Sequence, residues 1–154
     1  DIYMWGAPGG EGMKMRVWLI EYGCHWSATI IWKKQQLVLS PANYQRIYEP
    51  CFYGWFNKSS YNGDRKQVEL WEVDRPRDSK LHPTMKPIDL CSKAILNSSK
   101  ENDIVMDLFL GAGSTLIACE KTNRICYGME LDEHYCDVII KRWEEFTGKK
   151  AVKL

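Results

Sequence analysis

The residues of this 154-residue chain best suited to chemistry lie between Asn102 and Glu130. Asp107 follows a short apolar run, Ile104-Val-Met106, and is itself followed by Gly111, Gly113, Ser114 and Thr115. The run has the pattern of a strand buried on both faces. Two glycines in three residues let the backbone turn sharply and let a ligand approach with no Cβ in the way. Ser114 and Thr115 are good N-cap residues, and Leu116-Ile-Ala-Cys119 carries a helix onward whose first N–H groups would face an anion. Asn123 to Glu130 reads as the next strand, closing on a second carboxylate. In a dinucleotide-type βαβ unit, an acidic side chain roughly 20 residues past the first strand bonds a pair of ribose hydroxyls. The unit therefore suits a ligand with an adenosine ribose at one end and a charged group at the other.

Two common phosphate binders fit poorly. No Gly-Lys-Ser/Thr is present, so no lysine stands where a P-loop needs one. The third glycine of a G-x-G-x-x-G fingerprint would fall at position 116, which is leucine. A nicotinamide-dependent oxidoreductase is thus a weaker alternative. A nucleoside bearing an amino or carboxylate group, rather than a pyrophosphate, remains.

The elements that must hold these residues alternate as in an α/β fold. Upstream, Ile2-Tyr-Met-Trp5 reads as a strand. Met13 to Tyr22 reads as a helix with apolar residues at 15, 18, 19 and 22, stopped by Gly23. Cys24 to Trp32 reads as a strand, and Leu37 to Asn43 as a loop with at most a short edge strand. Cys51 to Phe56 forms the core of a further strand candidate that begins near Arg46. Residues 57–81 are a polar excursion containing one half-exposed strand pattern, Val68 to Val73. His82-Pro-Thr-Met-Lys-Pro87 is stiff and extended. Ile88 to Asn97 is a helix with Cys91, Ala94, Ile95 and Ser98 down one side. Asp132 caps a last helix to about Phe146, with Tyr135, Val138, Ile139 and Phe146 on one face and Thr147-Gly148 as its stop.

Bulk properties narrow the class without choosing the function. Hydrophobic residues make up 45% and charged residues 27%, ordinary for a globular chain. The formal net charge is +1, so any basic surface must be local. The six cysteines lack C-x-x-C spacing and read as small buried hydrophobes of a reducing, cytoplasmic compartment. The three histidines are far apart and suggest no metal site. No apolar run approaches a membrane span of about 20 residues.

Three segments together resemble a known family. Asp107-Leu-Phe-Leu-Gly-Ala-Gly-Ser-Thr115 resembles the S-adenosylmethionine loop of amino-group DNA methyltransferases, which modify adenine N6 or cytosine N4. His82-Pro-Thr-Met-Lys-Pro87 resembles the segment preceding that loop in the subgroup whose cofactor motif is C-terminal, and Tyr127-Gly-Met-Glu130 with Tyr135 resembles the motif after it. The similarity is greatest to phage-type and prophage-type methylases, including those of restriction–modification systems. It implies a Rossmann-like fold and S-adenosylmethionine as cofactor. Glu130 would hold the ribose hydroxyls. Asp107 would shape the turn or receive the methionine ammonium. Ser114, Thr115 and the helix start, with Lys86 and Thr84, would hold the methionine carboxylate. Gly111 and Gly113 would admit the ligand, and Phe109 would pack beside it, although a core role for Phe109 competes with that.

The resemblance also marks a gap. The family's Asp/Asn/Ser-Pro-Pro-aromatic motif, which accepts from the target amino group and stacks on the flipped base, is absent from residues 1–154. No catalytic residue is therefore assigned. The expectation is a C-terminal part of a single methyltransferase domain, beginning at Asp1 and inactive alone, with its catalytic strand upstream. That strand would lie between residues 2–5 and 104–108, so its loss should be met by closure of those strands, a homodimer or strand exchange. Double-stranded DNA is the implied partner, and no membrane is. Lys33, Lys34, Arg46, Arg65, Lys66, Arg75, Arg77 and Lys80 could neutralise phosphates, and Tyr44, Tyr61 and Trp71 could meet bases. The remaining alternative is a non-catalytic nucleoside-binding module.

Overall fold

A computed structural model describes residues 1–74 and 85–153, with nothing said of the Val38 side chain. The chain divides into two compact units, Asp1–Arg75 and Pro76–Leu154. Arg75, Arg77 and Lys80, and the first half of the His82–Pro87 passage including Thr84, lie outside the described residues.

The first unit is built on a sheet. Its elements are β1 (Ile2–Trp5), α1 (Gly10–Glu21), β2 (His25–Val38), β3 (Arg46–Trp55) and β4 (Leu70–Glu72). The strand order is β1-β3-β2-β4. β3 is antiparallel to β1 and β2, with Tyr53 opposite both Tyr3 and Ala28, while β4 runs parallel to β2 with Trp71 opposite Trp32. Residues opposite one another share a face. Tyr3, Trp5, Trp32, Tyr53 and Trp71 thus collect on one side. Ring centroids are 4.9 Å apart for Tyr3–Tyr53, 6.3 Å for Tyr3–Trp71 and 6.2 Å for Trp5–Trp32. On the other face Phe52 meets Trp26 at 6.0 Å. Buried Trp32 also donates its Nε1–H to the Val73 carbonyl at 2.8 Å.

Several sequence expectations shift here. β2 runs through Lys33 and Lys34 to Val38, where a loop from residue 37 was expected, because pairing with β3 resumes at Val38↔Arg46 after an irregularity. The helix starts at Gly10 rather than Met13, and Gly23 closes it at φ +87°. Its expected apolar stripe is not buried: Met15, Trp18 and Tyr22 are exposed, and only Gly12 is buried in the helix. The half-exposed strand is correct in kind, since Trp71 is 3% exposed between exposed Leu70 and Glu72. That burial removes Trp71 from the candidate base-stacking residues.

The second unit is α2 (Ile88–Ser98), β5 (Ile104–Asp107), α3 (Ser114–Lys121), β6 (Ile125–Gly128) and α4 (Glu133–Thr147). β5 and β6 are parallel, in register from Ile104↔Ile125 to Asp107↔Gly128, as a strand–helix–strand unit requires. Its core is Ile95, Ala118 and Cys119, against which Ile88, Cys91, Val105 and Cys126 pack. Cys119 and Cys126 share a hydrogen bond that raises the first thiol's pKa and lowers the second's. Asp132 caps α4 by accepting from the His134 amide, and Gly148 ends it in the left-handed region, as the sequence indicated. The expectation that Ile104-Val-Met106 is buried on both faces fails. Ile104 is 63% and Met106 67% exposed, because the core helices meet only the Val105–Cys126 side of this two-stranded sheet.

Trp32 fills the centre of the first unit's aromatic face. Its replacement by alanine should lower stability by about 3–5 kcal/mol, read from urea denaturation followed by circular dichroism.

Candidate cofactor site

The turn from β5 into α3 is where the sequence placed the site, and the structure ties it down with polar groups. Asp107 sits at the end of β5. Its Oδ1 accepts from the Phe109 amide at 3.0 Å and its Oδ2 from the Thr115 hydroxyl at 2.6 Å. One carboxylate thus joins the start of the turn to the start of the helix. Glu130, two residues beyond β6, works from the other strand. Its Oε2 accepts from the Gly111 amide at 2.7 Å, and its Oε1 from the Leu131 and Asp132 amides at 2.9 and 3.0 Å. Backbone bonds run alongside: Met129 donates to Asp107 O at 2.9 Å and Leu110 to Met129 O at 2.9 Å. Asp107 and Glu130, both half-buried, therefore converge on one turn.

The helix start differs from expectation. Gly113, not Ser114 or Thr115, occupies the cap position, at φ +78° and ψ +26°. That left-handed conformation suits glycine, and a Cβ there would also lie 3.3 Å from the Ile139 side chain on α4. Ser114 and Thr115 are instead the first helical residues, and their hydroxyls reach outside the helix. Buried Ser114 donates to the Lys86 carbonyl at 2.8 Å, 28 residues back, while Thr115 holds Asp107. Ser114 thereby fixes the backbone of Lys86 beside the helix start. Gly111 is also left-handed, at φ +55°. Phe109 is 89% exposed, which rules out the competing core role.

Two residues that sequence reasoning missed complete the neighbourhood. Cys91 on α2 faces Thr115, whose hydroxyl is 4.0 Å from its sulfur; burial pushes this thiol up to about 11. Arg142 on α4 donates from Nη1 to the Ala112 carbonyl at 2.7 Å and to Ser114 Oγ at 3.4 Å. Desolvation lowers the guanidinium's pKa from its ordinary value. The signal for Arg142 was available: it lies three residues after Ile139, on the same helical face.

On the proposed nucleic-acid face, Lys33 pairs with Glu72 at 2.5 Å and Lys34 with Glu49 at 2.6 Å. Lys33 in turn holds the Glu72 carboxyl below its ordinary pKa. Tyr44, Arg46, Tyr61, Arg65 and Lys66 are exposed. Among the described residues no cluster of ligating side chains could hold a metal, and no helix is long and apolar enough to cross a membrane.

A parallel strand–helix–strand with a glycine turn and an acidic residue past the second strand defines a Rossmann-like nucleotide-type site. The comparisons with known proteins narrow that class. This chain belongs to the N6/N4 DNA methylase family, whose model matches residues 16–142. The orphan methyltransferase M.BamHII of Bacillus amyloliquefaciens is 37% identical over 187 aligned positions, covering 92% of this chain and 71% of that protein. The type II methyltransferase M2.MboI of Moraxella bovis is 29% identical over 102 residues, 64% of this chain and 37% of that protein. M.BglII of Bacillus subtilis is 27% identical over 148 residues, 79% and 39% respectively. The chain thus spans well under half of these last two relatives. Among solved structures, an M1.HpyAVI–SAM complex superposes with a TM-score of 0.78 at 25% identity, over 91% of this chain and 72% of that one. The cytosine-N4-specific PvuII DNA methyltransferase does so with a TM-score of 0.73 at 18% identity, over 96% and 64%. The fold is the α/β Rossmann-like methyltransferase fold.

Thr115→Val keeps the side-chain shape and removes the bond to Asp107. It should lower thermal stability by roughly 1–3 kcal/mol, since the acceptor is charged and half-buried; differential scanning calorimetry reads the loss.

Proposed function

We propose that this chain is the S-adenosylmethionine-holding part of a DNA methyltransferase that modifies an exocyclic amino nitrogen of adenine or cytosine. The observation that carries the reading is the convergence of Asp107 and Glu130 on the turn at residues 109–115. In a strand–helix–strand fold, ligands bind beyond the carboxyl ends of the strands, where both side chains lie. Glu130 would accept from the ribose hydroxyls, a charge-assisted interaction. The start of α3, with Lys86 beside it, would take the carboxylate of the amino-acid half. Asp107 organises the turn and would meet the ammonium, Gly111 and Gly113 would let the ligand reach the backbone, and exposed Phe109 would cover one face of the ligand. When bound, the cofactor supplies an electrophilic methyl group. The residues here hold and orient it, and in-line positioning of methyl and nitrogen is the main source of rate in such a transfer.

Double-stranded DNA is the substrate this reading implies. Exposed Tyr44, Arg46, Tyr61, Arg65 and Lys66 support a nucleic-acid face on the first unit, whereas Lys33 and Lys34 are already engaged by carboxylates. The absence of an Asp/Asn/Ser-Pro-Pro-aromatic motif from residues 1–154 favours a cofactor-holding role for them rather than the chemical step.

Titration calorimetry with S-adenosylmethionine, run beside NAD, tests the reading. Binding of the first and not the second is expected. Glu130→Ala should weaken it by about 1–3 kcal/mol in a variant shown by circular dichroism to remain folded, and an unchanged affinity removes Glu130 from the site. A transfer assay with radiolabelled methyl donor and DNA should give no turnover with these 154 residues alone; turnover would mean that the chemical step uses groups other than the missing motif.

A further inference from the structure

We propose that Arg142 is a positioning residue for the end of the site that receives the ligand's amino-acid half. The inference rests on the reading just given and deepens it. Arg142 belongs to α4, yet its Nη1 is 2.7 Å from the Ala112 carbonyl and 3.4 Å from Ser114 Oγ. Ser114 Oγ in turn donates to the Lys86 carbonyl at 2.8 Å. A single guanidinium thus reaches the glycine turn, the first residue of α3 and, through that residue, the segment carrying Lys86. Ile139, one turn earlier on α4, lies under Gly113 and closes the same spot with apolar contact.

The placement carries an electrostatic penalty that needs an explanation. A cation near a helix N-terminus opposes the helix dipole; α3 has no acidic residue of its own in its first turn, and the carboxylate that reaches it, Asp107, is engaged by the Thr115 hydroxyl and the Phe109 amide. Arg142 is also partly desolvated. Bonds to a neutral carbonyl and a hydroxyl compensate only in part, because neither partner bears a negative charge. An anionic group seated at the α3 start would, together with Asp107, balance the positive field of the helix and Arg142. Arg142 need not touch that group. By holding the Ala112 carbonyl inward and the Ser114 hydroxyl turned to Lys86, it fixes the backbone that does.

This role separates the two ends of the ligand. Glu130 makes its own bonds to Gly111, Leu131 and Asp132 and shares none with Arg142. Loss of the guanidinium should therefore affect recognition of the amino-acid end and spare the ribose end. The test compares S-adenosylhomocysteine with adenosine, each titrated by NMR into the full chain, for wild type, Arg142→Met and Arg142→Lys. The expected result for Arg142→Met is about a tenfold or greater loss of affinity for S-adenosylhomocysteine, with adenosine changed by less than about twofold. Arg142→Lys keeps one donor and should recover most of the loss. A general loosening of the fold would weaken both ligands alike, and that result, or no change for either, overturns the proposal. Should Arg142→Met fail to fold, Arg142→Lys carries the comparison, with a smaller loss confined to the homocysteine ligand expected and an equal loss overturning it. If wild type binds neither ligand, the cofactor reading itself falls and takes this inference with it, whereas binding without selectivity removes only the role of Arg142.

Discussion

The turn between β5 and α3 depends on two carboxylates accepting hydrogen bonds from it. β5 has four residues, and alternate ones along it are exposed, so the strand supplies little apolar anchoring of its own. Five donors are instead gathered by Asp107 and Glu130: the amides of Phe109, Gly111, Leu131 and Asp132, and the hydroxyl of Thr115. Charge-assisted bonds of this kind are shorter and stronger than neutral ones. They also fix direction, which packing alone does not. Beneath them Ile139 fills the space that a side chain at Gly113 would need, and buried Ile117, Ala118 and Cys119 hold α3 in place. The rigid parts therefore lie under the turn and the polar parts within it.

The first unit meets a different demand with different means. Its one helix buries only a glycine, so the sheet must supply its own core. It does so with aromatic residues, which bury large areas and favour tilted or edge-on pairing. The pairing of β4 with β2 brings Trp71 opposite Trp32, and the Trp32 indole N–H closes on the backbone just past β4. A segment that reads as polar excursion is thus fastened to the sheet by two tryptophans. The lysines following Trp32 continue the same strand and are neutralised across it by Glu49 and Glu72.

The legible parts of the sequence were those where local chemistry decides. The glycine turn, the Asp132 cap, the Gly148 stop and the two parallel strands all follow from rules that act within a few residues. Positions that depend on a distant partner were harder to read. Ser114 has the side chain of an N-cap, yet the cap is Gly113, because close approach of Ile139 and a left-handed backbone leave room there only for glycine, while the Lys86 carbonyl claims the serine hydroxyl. The run Ile104-Val-Met106 has the composition of a doubly covered strand, but composition does not say how many helices meet it. Trp71 reads equally well as a stacking platform or as core, and only its register with Trp32 decides. Arg142 was harder to read for the same reason: its helical phase beside Ile139 was visible, but its partners, Ala112 and Ser114, lie across the turn from α4.

The arrangement at Glu130 bears on how structure and ligand would be coupled. A carboxylate has about four acceptor positions. On Glu130 three backbone amides donate to the carboxylate, two of them within its own loop and one, from Gly111, across the gap between the strand ends. A ribose diol brings two further donors to the same group. It must share Oε2 with Gly111 or displace it, and either way the order of the glycine turn and the occupancy of the ribose position enter one equilibrium. By linkage, the factor by which a bound ligand would change the Gly111 bond is the factor by which that bond would change the ligand's affinity, and displacement would make the two antagonistic. On the proposed reading, the side chain that makes the turn before any ligand arrives would then be the one that senses its arrival. A purely structural acceptor would have no such dependence, because its donors would all come from the chain itself.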